Sequence, residues 1–464
     1  MTLIGTIVFL VGILGLFVLD RDARNRTSKA LWLPVCWLLI IGSRPVSAWL
    51  QGGGPSQGIG FEDGSPLDRN IYLALIVLGL GVLFQRRVAV GKILRGNWPT
   101  LLFMAYCAAS VAWSDYPEVA VKRWIKSVGD FAMVMIVLTA VDRTNAIKRV
   151  LARVGFILLP GSILLIKYYP DLGRAYSKWE GTAFYVGVAA DKNMLGMICM
   201  ILGLGAAWRF IHELRGEGRR RVLIVHGTIV GMALWLTWTA NSMTSLSCFA
   251  IGSALIVATS SRSLARTAGR VHLMVAIVLL ASSSVLFLNV GGNVLTAMGR
   301  NPTLTGRTEL WQQLLKMDHS PLLGAGFESF WSPERVDHFV TVLKWAPNEA
   351  HNGYLEVYLN LGWVGVAFLG IVIATGYRAV MRCLRQEPEI GCLKLAYFVV
   401  GMAYSFTEAG FRNLTPVWIA FLLAVVKIPT GQTSRAEPTP LPAEPKERNR
   451  LAPAIVEQEA GVRN

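Results

Sequence analysis

Thirteen apolar runs dominate this chain, near 3–19, 30–50, 71–84, 99–112, 130–141, 150–166, 186–208, 222–240, 244–259, 271–290, 354–376, 393–407 and 414–428. A run of roughly 15 to 25 apolar residues crosses a bilayer as a helix, because only a helix closes its backbone hydrogen bonds within one segment. The runs are continuous rather than alternating, which argues against a β-barrel. With 53% hydrophobic and 16% charged residues, the chain carries more apolar surface than a soluble globule of 464 residues needs. The expected fold is an all-α polytopic membrane protein with about 12–13 transmembrane helices.

The net charge of +16 points at first to nucleic acid, but its distribution argues for topology instead. Alternate connections are rich in Lys and Arg: four each in 20–29, 85–98, 142–153 and 378–394, five in 209–221 and three in 262–270. Between them lie one in 51–70, none in 241–243, one in 409–413 and five spread over 291–353. By the positive-inside rule the poorer set faces outward, including the one large extracytoplasmic loop, 291–353. Thirteen spans then put the N-terminus outside. The runs 71–84 and 130–141 are short for a full crossing, and the segment 117–126, with Lys122, Arg123 and Trp124, suits a helix lying flat at the surface. No basic n-region precedes residues 3–19, so this run reads as a retained span rather than a signal peptide. No cysteine falls in the outer loop, which leaves a disulfide framework and a Cys-based zinc site unsupported.

Residues 1–428 read as one membrane domain, and 429–464 as a disordered cytoplasmic tail rich in Pro, Glu and Arg. Within the outer loop, Pro302–Met317 has helical spacing, with Arg307, Leu310, Trp311 and Leu314 on one face. Gly324-Ala325-Gly326-Phe327 marks a tight turn. Phe327, Phe330, Trp331 and Trp345 follow, suited to an interfacial belt or to stacking on sugars. The loop ends on Glu349-Ala350-His351-Asn352, where a side chain that titrates near neutrality sits at the mouth of a span.

His351-Asn352, nine residues, Gly362, two residues and Gly365 form a pattern that resembles the signature of the O-antigen ligase superfamily of bacterial membrane glycosyltransferases. Two further stretches, Thr305-Gly306-Arg307-Thr308-Glu309-Leu310-Trp311 and Gly324 to Trp331, are similar to elements around the large loop of exopolysaccharide polymerases. Asp191-Lys192-Asn193-Met194-Leu195-Gly196 is similar to an element early in the seventh span. Family members usually have about twelve spans with both ends inside.

The resemblance implies sugar transfer at the periplasmic side of the inner membrane. No metal-ligand spacing stands out, so transfer without a metal or other cofactor is expected. The donor is expected to be a polyprenyl-diphosphate-linked glycan and the acceptor another glycan or a lipid A core. Membrane lipid and proteins of chain-length control and export are the expected partners; nucleic acid is not. His351 is expected to position or deprotonate the acceptor hydroxyl, within hydrogen-bond reach and with a pKa near the working pH. Arg307 is expected to hold the diphosphate through a guanidinium fork that keeps its charge in apolar surroundings. Lys192 sits just inside a span, where a cation is costly and usually functional. Asn352, Trp311, Glu309 and Arg412 complete the expected substrate-binding set, Asn352 either orienting a sugar hydroxyl or capping a helix. Arg412 shares a short outer connection with Glu408.

The chain departs from the family at Asn241-Ser242-Met243-Thr244-Ser245, where Met243 stands in place of a basic residue. Either Lys192, Arg174 or Lys178 supplies that charge, or the donor is held differently. Rival readings are a lipid A-core ligase, a transporter or flippase of a lipid-linked glycan, and a scaffold of a polysaccharide-assembly complex. Asp20-Arg21-Asp22 has metal-binding spacing but lies among cytoplasmic arginines. Glu62-Asp63 and Asp68 lie on the outer side, near the Gly-rich connection Gly52-Gly53-Gly54-Pro55. His212, His226 and His272 flank cytoplasmic loops, and Asp337-His338 has no ligand spacing with another histidine.

Overall fold

The computed structural model describes residues 2–21, 27–52, 64–176, 183–261, 267–287, 307–317, 319–343 and 345–429. Asp22, Lys178, Gly53 to Asp63, Thr305-Gly306, the first part of the loop 291–353 and the tail 430–464 lie outside them. The chain is an all-α polytopic membrane protein, and every one of the thirteen apolar runs carries helix.

In chain order the helices are α1 Thr2–Leu19, α2 Trp32–Ile41, α3 Val46–Leu50, α4 Pro66–Gln85, α5 Arg87–Gly96 and α6 Trp98–Ala109. There follow α7 Pro117–Leu138, α8 Arg143–Tyr168, α9 Pro170–Gly173, α10 Lys192–Arg215, α11 Arg220–Thr239 and α12 Met243–Thr259. The last six are α13 Ala268–Phe287, α14 Arg307–Lys316, α15 Pro333–Leu343, α16 Gly353–Gln386, α17 Pro388–Tyr404 and α18 Pro416–Val425. Among the described residues, α1, α4, α8, α10, α11 and α16 are each long and apolar enough to cross a membrane alone; α2, α6, α12, α13 and α18 are shorter apolar helices.

Two boundaries differ from expectation. The run 30–50 divides at Gly42–Pro45 into α2 and α3. Residues 117–126 do not form a separate surface helix: Pro117 starts α7 at its first turn, where a missing N–H is harmless, and the helix continues to Leu138. A short antiparallel hairpin, β1 Arg174–Tyr176 with β2 Ala183–Tyr185, stands just before α10.

The apolar surface is allocated as a bilayer requires. Helices α17 and α18 are buried almost throughout, and α10 is buried from Leu195 to Trp208 with few interruptions. By contrast α1 leaves Leu3 70% and Leu14 64% exposed, which in lipid is no penalty. Helix α10 packs on α8, α11 and α12, while α16 packs on α6, α17 and α18.

Helix α16 is broken within its length. Gly362 has φ +63° and ψ −168°, a conformation essentially confined to glycine. The break frees backbone groups that the preceding loop satisfies. The carbonyls of Leu359 and Asn360 accept from the N–H groups of Ala325 and Gly326 at 3.0 and 2.9 Å. The N–H groups of Trp363 and Val364 donate to the carbonyls of Pro321 and Leu322 at 3.0 and 3.2 Å. The turn at Gly324 to Phe327 is therefore a clasp over the helix break, which is why both Gly324 (φ +73°) and Gly326 (φ +93°) are needed.

The described part of the long loop before α16 has its own small core. Leu310, Leu314, Phe330, Trp331 and Phe339 pack with Leu359 of α16. Phe327, Phe330 and Trp331 are 8%, 0% and 4% exposed, so they serve as core rather than as a belt or as open stacking surfaces. Trp345 alone of that aromatic set is exposed.

Candidate active site

The site begins at the chain's entry into α16. Asn352 is the N-cap of that helix: its Oδ1 accepts from the N–H groups of Tyr354 and Leu355 at 3.0 Å each. Its Nδ2 donates to the Phe406 carbonyl at 3.2 Å. Of the two expected roles, the cap is the one the hydrogen bonds display.

Immediately before the cap, His351 adopts a left-handed backbone, φ +47°. A non-glycine residue there is strained, and such strain concentrates at functional sites. The turn aims the ring at two carboxylates: Nδ1 lies 2.9 Å from Glu349 Oε1 and 3.1 Å from Glu408 Oε2. The other oxygen of Glu408 accepts from Arg307 Nη2 at 2.7 Å. One buried carboxylate thus bridges the two residues singled out as catalytic. Nothing among the described residues bonds the other ring nitrogen, Nε2.

Burial alone would lower the His351 pKa, but the hydrogen bonds and charges of Glu349 and Glu408 outweigh it and raise it to about 9. For Glu349 burial works upward, while His351 first, then Arg412 and Arg307, hold its carboxyl below the usual range. At neutral pH the ring is an imidazolium, and Nε2–H is a donor. Formal charges in the cluster sum to zero: two carboxylates, one imidazolium and one guanidinium.

Other expected residues have other places. Trp311 donates its Nε1–H to the Ala350 carbonyl at 2.7 Å, tying α14 to the residue before His351. Its polar group is committed to the scaffold, not to a substrate. Glu309, next on α14, is exposed. Arg412 donates Nε to Glu328 Oε2 at 3.0 Å and Nη1 to the Asn348 carbonyl at 3.2 Å, so it stands behind the cluster and steadies the turn that carries Glu349.

Lys192 is the first residue of α10, exposed and without an ion pair among the described residues. A pair with Asp191 does not form. Asp191 instead caps α10 through the N–H groups of Asn193 and Met194 at 2.8 and 2.9 Å. Desolvation and the charges of Glu349 and Glu408 push the Asp191 carboxyl up. The Met243 stretch lies near the cluster: Thr244 Oγ1 and Thr407 Oγ1 are 3.0 Å apart, one residue from Glu408. Arg174 is occupied elsewhere, donating to the Ile166 carbonyl and lying over the Tyr185 ring.

Sequence reasoning placed Glu408 only as a neighbour of Arg412 and gave Glu349 no role. A signal for Glu408 was present, since an acid confined to a short connection between two spans is expensive and generally partnered. Several of the residues set aside are partnered within the scaffold. Asp20 meets Arg209 at 2.9 Å and His226 at 3.2 Å, His212 meets Glu389 at 3.4 Å, and His272 meets the Tyr377 hydroxyl at 2.6 Å.

Glu349, His351 and Glu408 also form a possible metal-ligand set, their donor atoms lying within 4.8 Å of one another. A divalent cation there would displace the His351 proton from between the carboxylates and compete with Arg307 for Glu408.

The O-antigen ligase family matches residues 227–370, a stretch that holds Arg307, Glu349 and His351. The exopolysaccharide production protein ExoQ of Rhizobium meliloti (strain 1021) is 26% identical over 310 residues, covering 63% of this chain and 68% of that protein.

Proposed function

We propose that this chain, a member of the O-antigen ligase superfamily, is a glycosyltransferase of the polymerase type. It joins glycans carried on a polyprenyl diphosphate at the periplasmic side of the inner membrane. The observation that carries the reading is the Arg307–Glu408–His351 line, one buried carboxylate holding a guanidinium and an imidazolium side by side at the mouth of a span. Both cations suit a leaving diphosphate, with Lys192 as the exposed third cation at the same end. The bond from the anomeric carbon to the diphosphate oxygen breaks as the acceptor oxygen bonds to that carbon with inversion. The acceptor's proton leaves to the released diphosphate or to water.

His351 acts here as a donor and an orienting cation rather than as a base. Its neutral form is a minority at pH 7, given a pKa of about 9. The sign follows directly. A raised pKa keeps the imidazolium below about 9 and loses it as pH rises through that value, so turnover should be level near neutrality and fall above pH 9. A base role predicts the opposite limb, rising towards pH 9. An initial-rate profile from pH 6 to 10 separates them.

A transporter would place its ionisable residues around an open path near mid-membrane. Here the break in α16 is filled by the protein's own loop, and the cluster sits at the helix mouth. The deciding experiment uses a strain lacking this chain, complemented with wild type or His351→Ala. Single repeat units should accumulate on the carrier lipid without wild type and with His351→Ala. Full-length polymer accumulating on the carrier would instead mark a ligase, and unchanged surface glycan with His351→Ala would refute the site. Transfer is proposed to be metal-independent because the cluster is already charge-balanced, so EDTA in a reconstituted assay should leave the rate unchanged.

A further inference from the structure

We propose that α13 and α16 share a binding face for anionic phospholipid, at the end of α16 opposite the His351 cluster. Beyond its break at Gly362, α16 carries one exposed stripe. Trp363, Ala367, Ile371 and Ala374 are exposed, and Arg378, Arg382 and Arg385 continue the series. Steps of three or four residues keep all of them on one side of the helix. An apolar stripe thus gives way to three arginines, with no acid anywhere from Trp363 to Gln386.

The apolar part of the stripe belongs against acyl chains, as the exposed apolar face of a span does. Nineteen residues separate Trp363 from Arg382. That is about 28 Å along a helix, close to the roughly 30 Å of a hydrocarbon core. With Trp363 at one interface, the arginines stand at the headgroups of the opposite leaflet. Helix α13 lies alongside, its His272 Nδ1 2.6 Å from the Tyr377 hydroxyl. On α13, Arg270, Leu273, Ile277 and Leu280 are exposed at the same spacing, again basic at the end that carries His272.

Basic residues at one end of a span are general. What singles out this face is their alignment with a lipid-facing stripe on two neighbouring helices. Neither α13 nor α16 beyond its break contains an Asp or Glu, so the four guanidiniums have no carboxylate on their own helices there. A guanidinium forks onto a phosphate through two N–H donors and keeps its charge in weakly polar surroundings. A zwitterionic headgroup brings a cation beside its phosphate, which these arginines repel, and an anionic one does not. The apolar stripe calls for acyl chains, which a soluble phosphate lacks. The face lies at the other end of α16 from His351, so it stands apart from the glycan-transfer reading.

The test titrates full-length protein in neutral detergent with phosphatidylglycerol and with phosphatidylcholine, and counts bound lipid by native mass spectrometry. Phosphatidylglycerol should bind about 10-fold more tightly or better. Arg378→Gln, Arg382→Gln and Arg385→Gln should each weaken it by about 5-fold, the worth of one basic residue at a charged membrane surface. The three together should abolish the preference. An equal loss of charge on α5, by Arg87→Gln, Lys92→Gln and Arg95→Gln combined, should leave the preference largely in place. Phosphatidylglycerol should also raise the thermal unfolding midpoint of wild type but not of the α16 triple variant. The proposal is overturned if the two lipids bind alike, if the α5 triple loses the preference as fully as the α16 triple, or if glycerol phosphate without acyl chains displaces the lipid. Loss of the glycan-transfer reading would show instead as unchanged surface glycan in the His351→Ala strain.

Discussion

Glu408→Ala will reduce turnover by about three orders of magnitude, matching His351→Ala, and the double variant will be little worse than either single one. The magnitude is typical for a charged group acting in a preorganised site, and the non-additivity is what residues acting as a unit show. Glu408 is 4% exposed and holds Arg307 Nη2 with one oxygen and His351 Nδ1 with the other. Without it, Arg307 loses its partner and His351 keeps only Glu349, so both cations lose their orientation together. Glu408→Gln should retain part of the geometry, because an amide oxygen can still accept one of the two bonds, but it removes the charge. The His351 pKa then falls from about 9 towards its ordinary range, and the high-pH limb of the rate profile moves down with it. A simple loss of folding would not move that limb. Additive losses, or an unmoved limb, would show that Glu408 does not act through His351.

The partnership was only half legible in the chain. Apolar runs were enough for the helices, because length and hydropathy act locally. Arg307 and His351 were legible for a similar reason, each lying in a short pattern that can be read alone. Glu408 lies 57 residues beyond His351, across two further helices, and only the packing of α16 with α17 brings them together. The same limit applies to Asn352 and Trp311. Their residue types fit sugar recognition as well as scaffolding, and the fold commits the Trp311 N–H and the Asn352 side-chain carbonyl to the backbone of residues 350, 354 and 355. The surface helix expected at 117–126 failed differently. Its charges suggested an interface, yet α7 buries everything from Gly129 to Leu138 and simply extends its polar first turns outward.

The glycine of the His-Asn-nine-Gly pattern carries the second large expectation. Gly362→Ala should remove about 3 kcal/mol or more of stability, from a strained backbone conformation and a steric clash acting at one position. A Cβ at residue 362 would stand 2.2 Å from the Leu322 carbonyl oxygen, which is the acceptor for Val364. The clash and the hydrogen bond involve the same atom, so relaxing one breaks the other. Gly324→Ala meets the mirror-image obstacle, with its Cβ 2.4 Å from the Asn360 carbonyl carbon at φ +73°. Because both substitutions open one clasp, their effects should fall well short of additive. Gly370, eight residues further along α16, is the internal control: a Cβ there meets nothing within 4 Å. Gly370→Ala should be neutral or stabilise by up to about 1 kcal/mol, the helix propensity gained. Thermal unfolding midpoints in detergent, measured for the three single variants and the 324/362 double, test this directly. The clasp also presents the loop whose core supports α14, so a variant that still folds should lose turnover by shifting Arg307 away from Glu408. If Gly362→Ala keeps both midpoint and turnover, the break in α16 is not what fixes the site.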